Sequence, residues 1–297
     1  MGFIHQPVLL SEVLTYLVSQ PEGVYIDCTL GGGGHAEAVL KQLSPAGRFL
    51  GIDQDEIALA AATRRLQPYK NQLKLARGNF SQLEEIWQRS GLPAPCGILF
   101  DLGVSSPQLD EKERGFSYQE DAPLDMRMDR QQPFNAAKLV NTWPEKDIAH
   151  IIRQYGEERW AARIASFIVQ RRRERPLTTT GQLVDVIKAA IPAAARRRGP
   201  HPARRTFQAL RIAVNDELEV LPLGLEAAAH IIAPGGRIVA ISFHSLEDRI
   251  VKHTFRRLAM EGKFTVLTKK PVIPSSNEAE NNPRARSSKL RAVMKRA

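Results

Sequence analysis

Val24-Tyr25-Ile26-Asp27-Cys28-Thr29-Leu30-Gly31-Gly32-Gly33-Gly34-His35 is a short apolar run that ends in an aspartate and passes into four consecutive glycines. Ala36-Glu37-Ala38-Val39-Leu40 then begins a helical pattern, so the stretch reads as strand, tight loop and helix. Glycine reaches positive φ and has no Cβ, which lets the backbone turn sharply and lie against a ligand. The N–H groups at the start of the helix are donors for polar ligand atoms. Further on, Phe49-Leu50-Gly51-Ile52 reads as a second strand ending at Asp53. A carboxylate there suits a ribose diol, as in nucleotide-binding βαβ units.

The alternation continues. Leu73-Lys74-Leu75-Ala76 is a weak third strand, and Cys96-Gly97-Ile98-Leu99-Phe100 a strong fourth with Asp101 at its end. Helical patterns such as 56–62 lie between them, which predicts a parallel sheet covered by helices on both faces. Ligands in such sheets bind at the carboxyl ends of the strands. Asp27, Asp53, Phe80 and Asp101 all fall there, which predicts one shared site.

From 111 to 205 the signals are helical, with no convincing strand. Trp160, Ile164, Phe167 and Ile168 form one helical stripe, a core face, and Thr178 to Thr180 offer a cap for the next helix. Residues 207–221 read as one long helix, and Pro234-Gly235-Gly236 as a turn into the strand Arg237-Ile238-Val239-Ala240-Ile241. That strand ends at Ser242-Phe243-His244-Ser245. Residues 264–268 and 290–294 read as a final strand pair joined by a loop, 271–288. Gly31, Gly33 and Ala36 fit G-x-G-x-x-A, a pattern equally suited to NAD, FAD or S-adenosylmethionine. The glycine turn into a fifth strand and the closing pair favour the S-adenosylmethionine methyltransferase sheet. The expected fold is therefore α/β: a Rossmann-like S-adenosylmethionine methyltransferase sheet with an inserted all-helical domain. The expected domains are 1–110 with 206–297, which build the sheet, and 111–205, the helical insertion.

The 297 residues carry a formal charge of +10, placed unevenly. Residues 153–205 hold 13 basic and 4 acidic side chains, net +9, and residues 249–297 hold 13 and 3, net +10. The remainder is acidic, so the segregation points to a polyanionic partner. Arg171, Arg172, Arg173, Arg196, Arg197, Arg198, Arg204, Arg205, Arg284 and Arg286 are the expected phosphate contacts. No apolar run is long enough to span a membrane, and the first residues lack the plan of a secretory signal. Cys28 and Cys96, both in strand-like stretches, read as reduced core residues of a cytoplasmic protein. His and Cys are scattered without ligand spacing, so no metal site is expected.

Longer motifs carry a resemblance. They are His5-Gln6-Pro7-Val8-Leu9-Leu10, the Asp27 to His35 stretch, Gly51-Ile52-Asp53-Gln54-Asp55 and Asp101-Leu102-Gly103-Val104-Ser105-Ser106-Pro107-Gln108. Arg114-Gly115-Phe116-Ser117, Pro123-Leu124-Asp125-Met126-Arg127-Met128, Phe207-Gln208-Ala209-Leu210-Arg211 and Ser242-Phe243-His244-Ser245-Leu246-Glu247-Asp248-Arg249 follow in order. Together the chain resembles the bacterial ribosomal RNA small subunit methyltransferase H family over nearly its whole length. The resemblance implies methyl transfer from S-adenosylmethionine to N4 of one cytidine in the decoding region of 16S ribosomal RNA, free or in the small subunit. It also implies cofactor contacts from Gly33, Gly34, His35, Asp53, Phe80, Asp101 and Gln108.

Cytosine N4 is a poor nucleophile because its lone pair is delocalised into the ring, so the site must orient the amine against the donor. Amino-methyltransferases use an Asp/Asn-Pro-Pro-aromatic loop after the fourth strand; here that position reads Asp101-Leu102-Gly103-Val104. Asp101, Asn215, Ser242 and His244 are the candidate catalytic residues, and the acceptor of the amine proton is left open. The missing Pro-Pro-aromatic motif argues against DNA as substrate. The competing reading is an RNA-binding ribosome assembly factor that holds S-adenosylmethionine as a structural ligand.

Overall fold

The computed structural model describes residues 7–197 and 199–297, so His5, Gln6 and Arg198 lie outside the described residues. The chain divides into two compact units, Met1–Ser106 with Leu218–Ala297, and Pro107–Glu217.

The first unit is built on a seven-stranded sheet. Its strands are β1 (Val24–Asp27), β2 (Arg48–Asp53), β3 (Leu73–Arg77), β4 (Gly97–Asp101), β5 (Arg237–Ser242), β6 (Phe264–Val266) and β7 (Lys289–Lys295). Their order is β3-β2-β1-β4-β5-β7-β6; β1 to β5 are parallel, and β7 runs antiparallel to both β5 and β6. The Rossmann-like methyltransferase sheet expected from the sequence is therefore present, including the reversed last pair. Strand period explains the near-continuous apolar runs, because both faces are covered. Ile26, Leu50, Ile98, Phe100, Ile238 and Ala240 feed one core cluster, while their neighbours Tyr25, Phe49, Leu99, Val239 and Ile241 feed another. The order reverses between β1 and β4, and a sheet of this type opens its ligand crevice at such a switch point.

The second unit is helical, with helices Ala136–Thr142, Glu145–Gly156, Ala161–Glu174, Thr180–Ala190, Ala193–Arg196 and Arg204–Asn215. Thr179 caps the helix Thr180–Ala190 through a capping box with Gln182. Ile164 and Ile168 are buried as the stripe predicts, but Phe167 stays half-buried beneath the Arg163 guanidinium.

Two differences from the sequence expectation have local causes. Residues 207–221 are not one helix: Asp216 adopts a left-handed φ of 50°, separating Arg204–Asn215 from Glu217–Ile231. The bidentate pair of Arg211 with Glu217, at 2.8 and 2.7 Å, fixes that corner. The helix Arg204–Asn215 packs on Glu145–Gly156, where a Cβ on Gly156 would stand 2.6 Å from the Arg205 carbonyl. The helical unit thus runs to Glu217 and the sheet unit resumes at Leu218, not at 206. The stretch 271–288, read as a loop, forms a helix Ser276–Asn281 capped by Ser275 and a 3-10 turn Pro283–Ser287. Glu278 anchors it by accepting a 2.7 Å hydrogen bond from the Leu9 N–H.

Candidate active site

Each glycine of the loop has a separate reason. Gly31 and Gly33 adopt φ of 51° and 77°, where other residues are strained. A Cβ on Gly34 would meet Pro7 at 2.6 Å, and one on Gly33 would meet Leu66 at 3.2 Å. Gly32 faces open space, with nothing within 4 Å of a Cβ built there. The side of Gly34 that a Cβ would occupy therefore faces protein, and that of Gly32 is left free for a ligand.

The strand ends are tied to this loop. Asp53, closing β2, accepts from Gly31 N–H at 2.8 Å through Oδ2 and from Asp55 N–H at 2.9 Å through Oδ1. Each oxygen keeps a lone pair for a further donor. Burial raises its carboxyl to about 6, against the pull of those backbone N–H groups. Asp27, closing β1, is fully buried, and its Oδ1 accepts from Thr29 N–H at 3.0 Å and the Thr29 hydroxyl at 3.3 Å. Burial drives Asp27 up to about 7, with the His35 ring and the Thr29 N–H opposing and Asp101 and Asp53 adding repulsion. The Thr29 hydroxyl also accepts from Asp101 N–H at 2.6 Å, locking the end of β1 to the end of β4. Asp27 stands at the strand ends with Asp53 and Asp101, as expected. Thr29 was absent from the expected residues, and its signal was a hydroxyl between a buried strand and the glycines.

His35 lies in the first turn of the helix Gly34–Leu40, with Nε2 3.5 Å from Asp101 Oδ2. Its two ring nitrogens and Asp101 Oδ1 are buried without a hydrogen-bond partner in the protein. Buried polar atoms are paired in the great majority of structures, so three together at the strand ends mark a candidate ligand site. Phe80 follows β3, half-buried and edge-on to Phe100 with centroids 5.6 Å apart.

Other expected residues have structural partners. Ser242 is buried at the end of β5, donating to the Lys289 carbonyl at 3.4 Å. His244 caps the helix Ser245–Met260: its Nδ1 accepts from Glu247 N–H at 3.3 Å, and Nε2 stands 3.2 Å from Glu247 Oε1. Asn215 and Gln108 belong to the helical unit, where both are buried. Asn215 accepts from Met128 N–H at 2.7 Å and donates to the Met126 and Arg211 carbonyls at 2.8 Å. It clasps the turn at Met126, whose φ is 63°. Among the expected phosphate contacts, Arg172 is occupied, donating to the Val140 and Trp143 carbonyls at 2.7 Å. Arg173, Arg196, Arg197, Arg204 and Arg286 are exposed. Among the described residues, no helix is long and apolar enough to cross a membrane.

The acidic strand tips, the open flank of Gly32 and the unbonded atoms of His35 and Asp101 fit S-adenosylmethionine. That molecule combines a diol, a cationic sulfonium and an amino-acid end. Comparison with known proteins agrees. Residues 2–296 match the model of the MraW methylase family. A ribosomal RNA small subunit methyltransferase H of Symbiobacterium thermophilum is 57% identical over 310 residues, covering 99% of this chain and 98% of its own. The same-named protein of Heliobacterium modesticaldum is 54% identical, covering 99% of both chains. With matches that span it end to end, this chain belongs to the MraW methylase family, and its cofactor is S-adenosylmethionine.

Proposed function

We propose that this protein methylates the exocyclic N4 of one cytidine in the decoding region of 16S ribosomal RNA, in the cytoplasm. The observation that carries the reading is the set of buried, unbonded polar atoms on His35 and Asp101 at the switch point of the sheet. The relatives' shared name supplies the substrate class.

When bound, S-adenosylmethionine supplies a methyl carbon activated by its sulfonium. Asp53 accepts from the ribose hydroxyls with the lone pairs that its backbone bonds leave over. The open flank at Gly32 lets the loop backbone lie against the cofactor, and Phe80 packs beside the adenine. Asp101 accepts a hydrogen bond from the target amine, which turns the N4 lone pair toward the methyl carbon; such positioning is worth several kcal/mol. N4 gains a methyl and loses one proton, for which the Asp101 carboxylate is the acceptor we assign. The target base leaves its stack to reach the strand tips. Exposed arginines of the helical unit, Arg173, Arg196, Arg197 and Arg204, hold the surrounding phosphates.

The test uses labelled S-adenosylmethionine with unmodified small subunits, naked 16S ribosomal RNA and duplex DNA. Label enters an RNA substrate and not DNA. Asp101→Asn lowers turnover about 10²–10⁴-fold with cofactor affinity retained, the range for loss of a positioned proton acceptor. Full turnover by Asp101→Asn removes its assigned role; cofactor binding with no label in any substrate favours the assembly-factor reading.

A further inference from the structure

A concavity lies in the sheet unit. It encloses about 450 Å³ between the start of the helix Ser245–Met260 and the segment that precedes β7. None of the glycine loop, Asp53 or Asp101 lines it. One wall is apolar, from Phe243, Ile273 and Pro274; the rim carries Arg286, Lys289 and the Ser287 hydroxyl. Lys289 is paired with Asp248 at 3.6 Å, so Arg286 is the cation that the rim offers to an anion. Ile273 is 64% exposed, unusual for a large aliphatic side chain, and Arg286 is exposed with its Nε donating to the Ala279 carbonyl. Phe243 links this pocket to the reaction centre: a Cβ on Gly103, two residues past Asp101, would stand 3.3 Å from its ring. β4 and β5 also pair directly, with Asp101 opposite Ile241.

An apolar wall beside an exposed guanidinium matches one nucleotide, with a base against Phe243 and Ile273 and a phosphate at Arg286. The volume falls within the range of small-ligand pockets. Pockets that pair aromatic or aliphatic walls with cationic rims hold single-stranded nucleic acid through stacking and phosphate contact. We propose that this pocket takes a nucleotide of the RNA strand adjacent to the methylated cytidine, so that the unstacked strand is gripped on both sides of the reacting base. The inference rests on the ribosomal RNA reading above. The segment that precedes β7 is held in place by the bond from Leu9 N–H to Glu278, so the pocket is formed before RNA arrives.

The experiment measures methyl transfer to unmodified small subunits at several salt concentrations, for the wild type, Arg286→Ala, Arg286→Lys and Ile273→Ala. Arg286→Ala raises KM about tenfold, as expected for one lost charge-assisted contact, with kcat and cofactor affinity unchanged. Its log KM against log salt has a slope smaller by about 0.7, the value for one single-strand phosphate. Arg286→Lys restores most of that slope. Ile273→Ala raises KM with the slope unchanged, because it removes contact with a base and not with a phosphate. Unchanged KM in both alanine variants overturns the pocket, as does a loss of cofactor affinity that tracks the rise in KM. A wild type that methylates no small subunit fails the underlying reading, and the pocket falls with it. A wild type that methylates normally beside indifferent variants fails the pocket alone.

Discussion

Two acidic side chains at neighbouring strand ends, Asp27 and Asp53, are raised to different extents because their surroundings differ. Asp27 is buried with a single threonine as partner, and burial carries it from 3.8 to about 7. Between those values the folded protein holds a proton that the unfolded chain has released, so this group lowers stability as pH rises from about 4 to 7. The slope reaches about 1.4 kcal/mol per pH unit, and the total is on the order of 4 kcal/mol. Asp27→Asn keeps the oxygen that accepts from Thr29 and removes the titration. Denaturant unfolding at a series of pH values is expected to show the variant gaining on the wild type up to pH 7, then running parallel. A constant difference across that range contradicts the buried-carboxyl assignment. Asp53, raised to about 6, predicts a different dependence. Its ionised form is the better acceptor for a diol, so calorimetric affinity for S-adenosylmethionine should fall as pH drops below 6, by up to about tenfold per unit. Asp53→Ala should weaken binding about 10–100-fold at pH 7.5, the loss of one charge-assisted partner, and should abolish that dependence.

At the scale of elements, the glycine loop separates folding from ligand contact. Gly33→Ala forces a Cβ onto a residue with φ of 77° and into Leu66, costing about 1–2 kcal/mol of stability from the backbone alone. Gly32→Ala meets nothing in the protein, so its melting temperature should stay at the wild-type value while cofactor affinity falls. Parallel melts and titrations distinguish the two, and an unaltered affinity in Gly32→Ala would place the cofactor elsewhere. In the helical unit, Asn215→Ala removes the acceptor of the Met128 N–H and the donor to the Met126 and Arg211 carbonyls, and should cost about 2–4 kcal/mol in chemical denaturation. The central strands were legible in the sequence because the sheet is covered on both faces there and their apolar runs are unbroken, whereas β3, with Lys74 exposed at the sheet edge, read weakly. The break at Asp216 was not, because a single left-handed residue leaves the 3.6-residue pattern on either side intact. Asp53, Asp101 and His35 were legible as polar residues at strand and loop ends. The parts of His244 and Asn215 were not, since a capping histidine and a loop-clasping asparagine show themselves only through their hydrogen-bond partners. His244 does carry one readable sign, a glutamate three positions on, which is the spacing of a capping box.

Over the whole molecule, charge and chemistry occupy different segments. Net +9 lies in residues 153–205 and net +10 in residues 249–297, while Asp27, Asp53 and Asp101 stand together at the strand ends. Binding of the small subunit or its RNA should therefore weaken steeply with salt, whereas cofactor binding should change little. Charge reversal at Arg173, Arg196 and Arg204 together should flatten the RNA dependence while leaving cofactor affinity as it was. The measurement that bears most directly on the central claim is mass-spectrometric mapping of 16S ribosomal RNA after incubation of unmodified small subunits with this protein and isotopically labelled S-adenosylmethionine. A single labelled methyl on N4 of one decoding-region cytidine is the predicted result; a methyl on carbon, on ribose or at scattered positions would contradict it.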